Sequence, residues 1–316
     1  MSVRNVTVLG GSGFVGLHLS RLLAERGIAC CVPTRNREHA KRELLVLPNV
    51  SIVEANVHDD ADLDRVLSGA DAVVNLVGIL HESGTQSFQR AHADLPHRVV
   101  QSCVRTGVKR YLHMSALCAD PAGPSNYLRS KGEGEERAAA ATAQGIDVTI
   151  FRPSIIFGRG DSFINLFATM LRFAPLIPLG SPGARFQPVW VEDVVRAMVD
   201  ALSDGATFAQ RYDLCGPNVY TLRELVRMTG RAVDCPRPIL GLGRTLSYLQ
   251  AAVMELSPVK LITRDNVRSM SVDNVCGCGW PEVFRFRPAA LEAILPTYLG
   301  SHRCRANDGF RMRAGR

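Results

Sequence analysis

Lysine is nearly missing from this chain of 316 residues: four of its 37 basic side chains are Lys and the rest are Arg. The net charge of +7 therefore rests on arginine. Five of the arginines, Arg303, Arg305, Arg311, Arg313 and Arg316, stand in the last sixteen residues. Elsewhere the cations are scattered and aromatic residues make up only 6% of the chain, so no basic, aromatic-interleaved strip exists to follow a phosphate backbone. That pattern argues against nucleic acid as a partner. An apolar run long enough to span a bilayer is also absent, because the best candidate, residues 239–256, carries Arg244, Glu255 and two glycines. It reads as a core or lid helix, or as a helix lying on a membrane surface or a partner.

Paired C-x-x-C spacings, an H-E-x-x-H sequence and a carboxylate cluster are all lacking. The nine cysteines, at 30, 31, 103, 118, 215, 235, 276, 278 and 304, form no even framework. Most lie in apolar segments as buried thiols, as in a reducing cytoplasm. Cys276-Gly-Cys278 has no histidine nearby to complete a ligand set, His92 and His97 are five apart on a helical stretch, and His113 reads as a satisfied core histidine. No metal is expected. The first residues, Met1 to Asn5, enter an apolar strand at once, leaving no room for a signal or transit segment.

What is present begins at Val6-Thr-Val-Leu-Gly10-Gly11-Ser12-Gly13-Phe14-Val15-Gly16. An apolar strand meets glycines three apart, and these open onto the helical pattern Val15, Leu19, Leu22, Leu23. Gly10 permits the sharp turn, Gly13 a close approach of backbone to a pyrophosphate, and Gly16 tight packing of helix on strand. Ser12, Phe14 and Val15 then present the first backbone N–H groups of the helix to the phosphates. Further strand-like runs at 28–33, 50–54, 71–77, 109–114 and 146–151 alternate with helical patterns at 37–47, 60–68, 86–106 and 127–144. The alternation predicts an α/β Rossmann fold, a doubly wound parallel sheet, over residues 1–151. Prolines and glycines punctuate 152–300, where helices at 162–173, 192–202 and 221–230 and a strand at 210–214 predict a smaller, irregular, helix-rich lid with a substrate pocket between the halves. Residues 301–316 read as a basic, disordered tail.

Where an acid would accept from the adenosine ribose and select NAD, residues 28–37 offer none, and Arg35, aided by Arg37, stands ready for a 2′-phosphate. NADP(H) is thus preferred over NAD(H). Asn75-Leu76-Val77-Gly78 ends a strand beside the cofactor, Ser115 ends the next, and Tyr127 and Lys131 share a helix face at i and i+4. An ammonium held there lowers the phenol pKa, so that Tyr127 exchanges a proton with a carbinol or carbonyl oxygen that Ser115 also bonds.

Together, Gly10-x-x-Gly13-x-x-Gly16, Asn75-Leu-Val-Gly78, Ser115 and Tyr127-x-x-x-Lys131 resemble the short-chain dehydrogenase/reductase superfamily over residues 3–215. Arg152-Pro-Ser-Ile-Ile-Phe-Gly158 and Gln187-Pro-Val-Trp-Val-Glu-Asp193-Val194 are similar to its extended and atypical, epimerase/dehydratase-type members. Ser115-Ala-Leu, Tyr127-Leu-Arg-Ser-Lys131-Gly-Glu133, Gly158-Arg-Gly-Asp-Ser-Phe163 and Leu261-Ile-Thr-Arg-Asp-Asn266 resemble bacterial relatives of the NADH:ubiquinone oxidoreductase (complex I) accessory subunit, up to Leu299. The resemblance implies an oxidoreductase moving hydride between nicotinamide C4 and a carbonyl or quinone-like small molecule. Tyr127 would be the acid/base, Lys131 would hold the nicotinamide ribose and Ser115 would orient the substrate; Asn56, Val57, Pro153 and Ile155 would be further cofactor contacts. It equally implies the alternative of a non-catalytic NADPH-binding assembly or stability factor for a membrane redox complex, cytoplasmic and peripheral on the inner face of the membrane. Two departures stand out. Asn56 replaces the acid that extended members place on the adenine amino group, and the Ser115 to Tyr127 interval is shorter than in sugar-nucleotide epimerases.

Overall fold

A computed structural model of the chain describes residues 3–84, 86–255 and 262–300. The first half runs β1 (Asn5–Leu9), α1 (Phe14–Glu25), β2 (Ala29–Thr34), α2 (Arg37–Leu44), β3 (Val50–Glu54), α3 (Asp60–Leu67), β4 (Ala72–Asn75), a π-helical turn (Gln89–Asp94), α4 (Leu95–Thr106), β5 (Arg110–Met114), α5 (Asn126–Ala139) and β6 (Asp147–Pro153). There follow β7 (Ile156–Phe157), α6 (Phe163–Phe173), β8 (Ile177–Gly180), β9 (Arg185–Phe186), β10 (Val189–Trp190), α7 (Val191–Ala201), β11 (Gln210–Leu214), β12 (Tyr220–Thr221) and α8 (Leu222–Ala232). The chain continues through β13 (Ile239–Leu242), α9 (Arg244–Glu255), α10 (Arg264–Ser269) and α11 (Leu291–Leu299).

The main sheet is wholly parallel, with strand order β11-β6-β5-β4-β1-β2-β3. Its chain order reverses between β1 and β4, the switch point at which doubly wound sheets bind ligands. Helices cover both faces, which is why β4 and β5 are buried at every residue. Helix starts are marked locally. Asp59 caps α3 by accepting from Asp62 N, Ser125 caps α5 through Leu128 N, and Thr221 and Glu224 form a capping box on α8.

The described residues fall into two compact units. The first holds residues 3–153, 191–214 and 281–286. It leaves the sheet at Pro153 and regains the chain at 191–214 because β11 pairs in parallel with β6 from Gln210↔Thr149 to Leu214↔Pro153, while α7 packs on α1. Phe284 closes over the same edge against Phe151 and Tyr212.

The second unit is built on α6, α8 and α11 around Ile164, Leu171, Leu225 and Leu295. Within the stretch 239–256, the described residues 239–255 form two elements, not one helix. β13 pairs in parallel with β8, Ile239 opposite Ile177, and α9 then buries only Ser247 and Ala251. Leu246, Leu249 and Val253 face outward, each more than half exposed. Cys215 and Cys276 form a disulfide, with Cα atoms 6.1 Å apart across a sequence separation of 61. This corrects the expectation of unpaired thiols: spacing along the chain carries no trace of a pair that only the fold brings together. Gln187 ties the same two segments, donating through Nε2 to Gly216 O (2.7 Å) and accepting from Cys276 N (3.0 Å). The expected tail, 301–316, lies outside the described residues.

Candidate functional site

The glycine turn sits at the carboxyl end of β1, in the first unit. Gly10 has φ +79°, and a Cβ there would lie 3.1 Å from the Leu76 and Val77 backbone of the neighbouring strand end. A Cβ at Gly16 would collide with the Gly10 carbonyl. The turn thus requires glycine at both positions. Gly13 is the N-cap of α1, no side chain caps that helix, and no acid stands in its first turn. The orphan N–H groups of Phe14, Val15 and Gly16, with the positive end of the helix dipole, form a ready anion site. Ser12 is half-buried in the same turn.

At the adenosine end Arg35 is exposed immediately after β2. Asn56 sits in the loop after β3, with its N–H on Asp62 Oδ2 (2.8 Å) and its Oδ1 accepting from His58 N (3.2 Å), so one of the two acceptor positions of its amide oxygen is taken by the turn itself. Val57 is half-buried beside it. Pro153 closes β6, its carbonyl accepting from Leu117 N (2.9 Å). Ile155 belongs to the second unit, where its carbonyl accepts from Val189 N (2.9 Å).

Tyr127 and Lys131 lie one turn apart on α5. Lys131 is buried, its Nζ donating to Met114 O (3.1 Å), and a Cβ at Gly78 would stand 3.4 Å from that Nζ. Burial lowers its ammonium to about 8. Tyr127 packs edge-on against Phe88 (5.9 Å between centroids) and His92 (5.5 Å). Burial pushes its phenol up to about 12. This corrects the expectation that the ammonium brings the phenol towards neutrality: desolvation dominates, and the ammonium bonds a backbone carbonyl.

His92, read from sequence as uninvolved, belongs to this cluster. The backbone Ile79 N–H donates to Nε2 (3.0 Å), which fixes the proton on Nδ1; Nδ1 then donates to Ser130 Oγ (2.9 Å), and that hydroxyl donates to Tyr127 O (2.9 Å). Burial first, then the charge of Lys131, keeps the imidazole neutral, at about 2. His92 stands in the π-helical turn before α4 and Tyr127 on α5, so their meeting is tertiary and no helical period in the sequence relates them. His113 is only half satisfied: Nδ1 meets Tyr111 OH (3.0 Å), and Nε2 has no hydrogen-bond partner among the described residues.

Ser115 goes elsewhere. Its hydroxyl donates to Glu135 Oε2 (2.8 Å), one turn beyond Lys131 on α5, and Glu135 is further paired with Arg152 (3.3 Å) and Arg211 (3.1 Å). The structure therefore gathers Tyr127, Lys131, Gly78 and His92, and commits Ser115 to an ion cluster at the β6–β11 edge.

The buried ammonium has a measurable consequence. Below about pH 8 Lys131 is charged in both folded and unfolded chains, and its burial opposes folding. Between about 8 and the ordinary lysine value of about 10.4 the folded chain sheds the proton first, and stability is regained. Lys131→Met is expected to be the more stable protein at pH 7 without ligand, by on the order of 3 kcal/mol, and to lose that lead by about pH 10. Denaturant titrations at the two pH values check this; a gap independent of pH contradicts it.

A doubly wound sheet with an uncapped glycine turn at its switch point and a Tyr/Lys pair beyond β5 defines the Rossmann class of short-chain dehydrogenase/reductase-like proteins. The chain belongs to the NAD dependent epimerase/dehydratase family, whose sequence profile matches residues 6–215. It is 34% identical to the NADH dehydrogenase (ubiquinone) 1 alpha subcomplex subunit 9 of Arabidopsis thaliana over 74% of this chain and 60% of that protein. To the subunit of the same name from Mus musculus it is 30% identical over 94% and 80%. A ceramide reductase of Caulobacter vibrioides is 30% identical over 61% of this chain and 59% of its own. The chain thus spans less than two thirds of the Arabidopsis relative. Among solved structures, the dTDP-glucose 4,6-dehydratase DesIV of Streptomyces venezuelae superposes with a TM-score of 0.75 at 22% identity, covering 96% and 98% of the two chains.

Proposed function

We propose that the protein binds NADP(H) and reduces the carbonyl group of a small or isoprenoid, quinone-like molecule. The glycine turn fits the pyrophosphate, since α1 begins without a side-chain cap or an acid; Arg35 suits a 2′-phosphate; and Gly78 leaves Lys131 approachable for the nicotinamide ribose. The dinucleotide, when bound, supplies the hydride. Tyr127 supplies the proton. The observation that carries this reading is geometric: Tyr127 stands on α5 one turn from buried Lys131, whose Nζ faces Gly78 beyond β4, and the phenol, protonated at neutral pH, is able to donate to a carbonyl oxygen. Lys131, one turn away, would hold the nicotinamide ribose. A relative named as a reductase supports the same reading. Ser115 orients the substrate only if its bond to Glu135 opens, and the reading does not require it. An NADPH-oxidation screen over aldehydes, ketones and quinones tests the proposal, with turnover the expected result.

One observation favours a second reading, in which the dinucleotide serves structurally within a membrane redox assembly. Ser115 donates to Glu135, and the relatives from Arabidopsis and mouse are named as NADH dehydrogenase (ubiquinone) subunits. No turnover in the screen, with NADPH still raising the melting temperature, selects this reading. No described helix is long and apolar enough to cross a membrane. The exposed stripe Leu246, Leu249 and Val253 of α9, with Leu240 on β13, suits a surface contact instead. Sedimentation with anionic vesicles at low salt is expected, weakening with added salt and with removal of residues 301–316. A chain that stays in the supernatant at low salt contradicts the contact.

A further inference from the structure

We infer that Arg90 and His58 join Arg35 in one cluster that reads the 2′-phosphate of the dinucleotide, an inference that rests on the NADP(H) reading above. The geometry starts from how α4 lies along α3. Arg105 forks onto Asp64 through Nε (2.7 Å) and Nη2 (2.8 Å), Ser102 donates to the same carboxylate, and Arg98 Nη1 donates to Asp60 Oδ1 (2.6 Å). These contacts climb towards the carboxyl ends of the strands. Asp60 opens α3 two residues after His58, and Arg90 stands in the π-helical turn that precedes α4. His58 is half-buried in the loop after β3, held by its N–H on Asn56 Oδ1 (3.2 Å).

The cations around that imidazole come from two sides. After burial, Arg90, Arg35 and Arg98 in that order hold it down at about 4, with Asp94 opposing them. Asp94 is itself engaged by Arg137 (2.9 Å) and Gln89 (3.3 Å), and Arg98 is neutralised by Asp60. Arg35 and Arg90 make no ion pair among the described residues. The residue after β3 bonds back to the last residue of β2 (Ala55 N to Thr34 O, 3.1 Å), and α4 runs along α3 through Arg105–Asp64 and Arg98–Asp60, so Arg35, the Asn56–His58 loop and Arg90 are brought to the strand ends that receive adenosine in a doubly wound sheet. A phosphate monoester carries two charges and three acceptor oxygens, and forks with guanidinium groups geometrically. Neither Arg90 nor His58 is marked by the spacing of the glycine motif, since they reach the site from the β3 and α4 segments.

Calorimetric titration with adenosine 2′,5′-bisphosphate and with 5′-AMP tests the cluster without involving the nicotinamide end. In the unaltered protein the bisphosphate is expected to bind more tightly. Arg90→Ala is expected to weaken the bisphosphate about tenfold and AMP less than about twofold, with Arg90→Lys restoring part of the loss and His58→Gln causing a smaller, equally selective loss. A preference for the bisphosphate that survives Arg90→Ala and His58→Gln unchanged, or an equal loss for both ligands, overturns this inference and leaves the NADP(H) reading standing. Equal binding of the two ligands by the unaltered protein overturns both.

Discussion

Tyr127→Phe is expected to reduce NADPH-dependent carbonyl turnover by at least about 10²-fold, while the dinucleotide still binds with nearly unchanged affinity. The substitution retains the ring that packs edge-on against Phe88 and His92 and removes only the oxygen. Folding stability should shift by about 1 kcal/mol or less, the scale of one hydrogen bond. Lys131→Met behaves differently: turnover and NADPH affinity are expected to fall together, because the ammonium would hold the ribose. Steady-state rates and binding isotherms for the two variants separate these effects. Full turnover in Tyr127→Phe removes Tyr127 from the mechanism.

Opening the Cys215–Cys276 bridge is expected to cost the second unit about 4 kcal/mol, the loop-closure value for the 61-residue separation it spans. The cost falls on a segment already organised by Gln187, Asn274 and Ser154, whose hydrogen bonds persist in the folded state. The effect is therefore on the unfolded chain, which gains freedom when the bridge is absent. Denaturation with and without a reductant, and of Cys215→Ser, measures it. Thiol titration of the unfolded, unreduced chain should find two fewer thiols than its nine cysteines; nine thiols and an unchanged transition contradict the bridge.

These outcomes depend on features that were legible in the sequence to different degrees. β3 at 50–54 and β11 at 210–214 occupy the bounds expected for them, and the glycine motif marks β1 and α1 because Gly10 and Gly16 have local steric reasons. Residues 239–256 misled, since an apolar stretch of that length suits a helix, yet Gly243 separates a strand paired with distant β8 from a helix with an exposed apolar stripe. The pairing partner is tertiary information. Tyr127 and Lys131 were found by their i, i+4 spacing, whereas the direction of the phenol shift follows from burial, which no spacing encodes. His92 is not marked because it reaches Tyr127 from a different helix, and Glu135, twenty residues beyond Ser115, gives no sign in sequence of turning towards it.

The central claim is that this chain holds a 2′-phosphorylated nicotinamide dinucleotide, and titration of the purified protein with NADPH and NADH under identical conditions tests it most directly. NADPH is expected to bind more tightly. Arg35→Asp should remove about 1.5–3 kcal/mol of that preference, roughly tenfold to a hundredfold, as a charge-assisted contact is lost. Equal affinity for the two dinucleotides in the unaltered protein, or binding of neither, would contradict the claim.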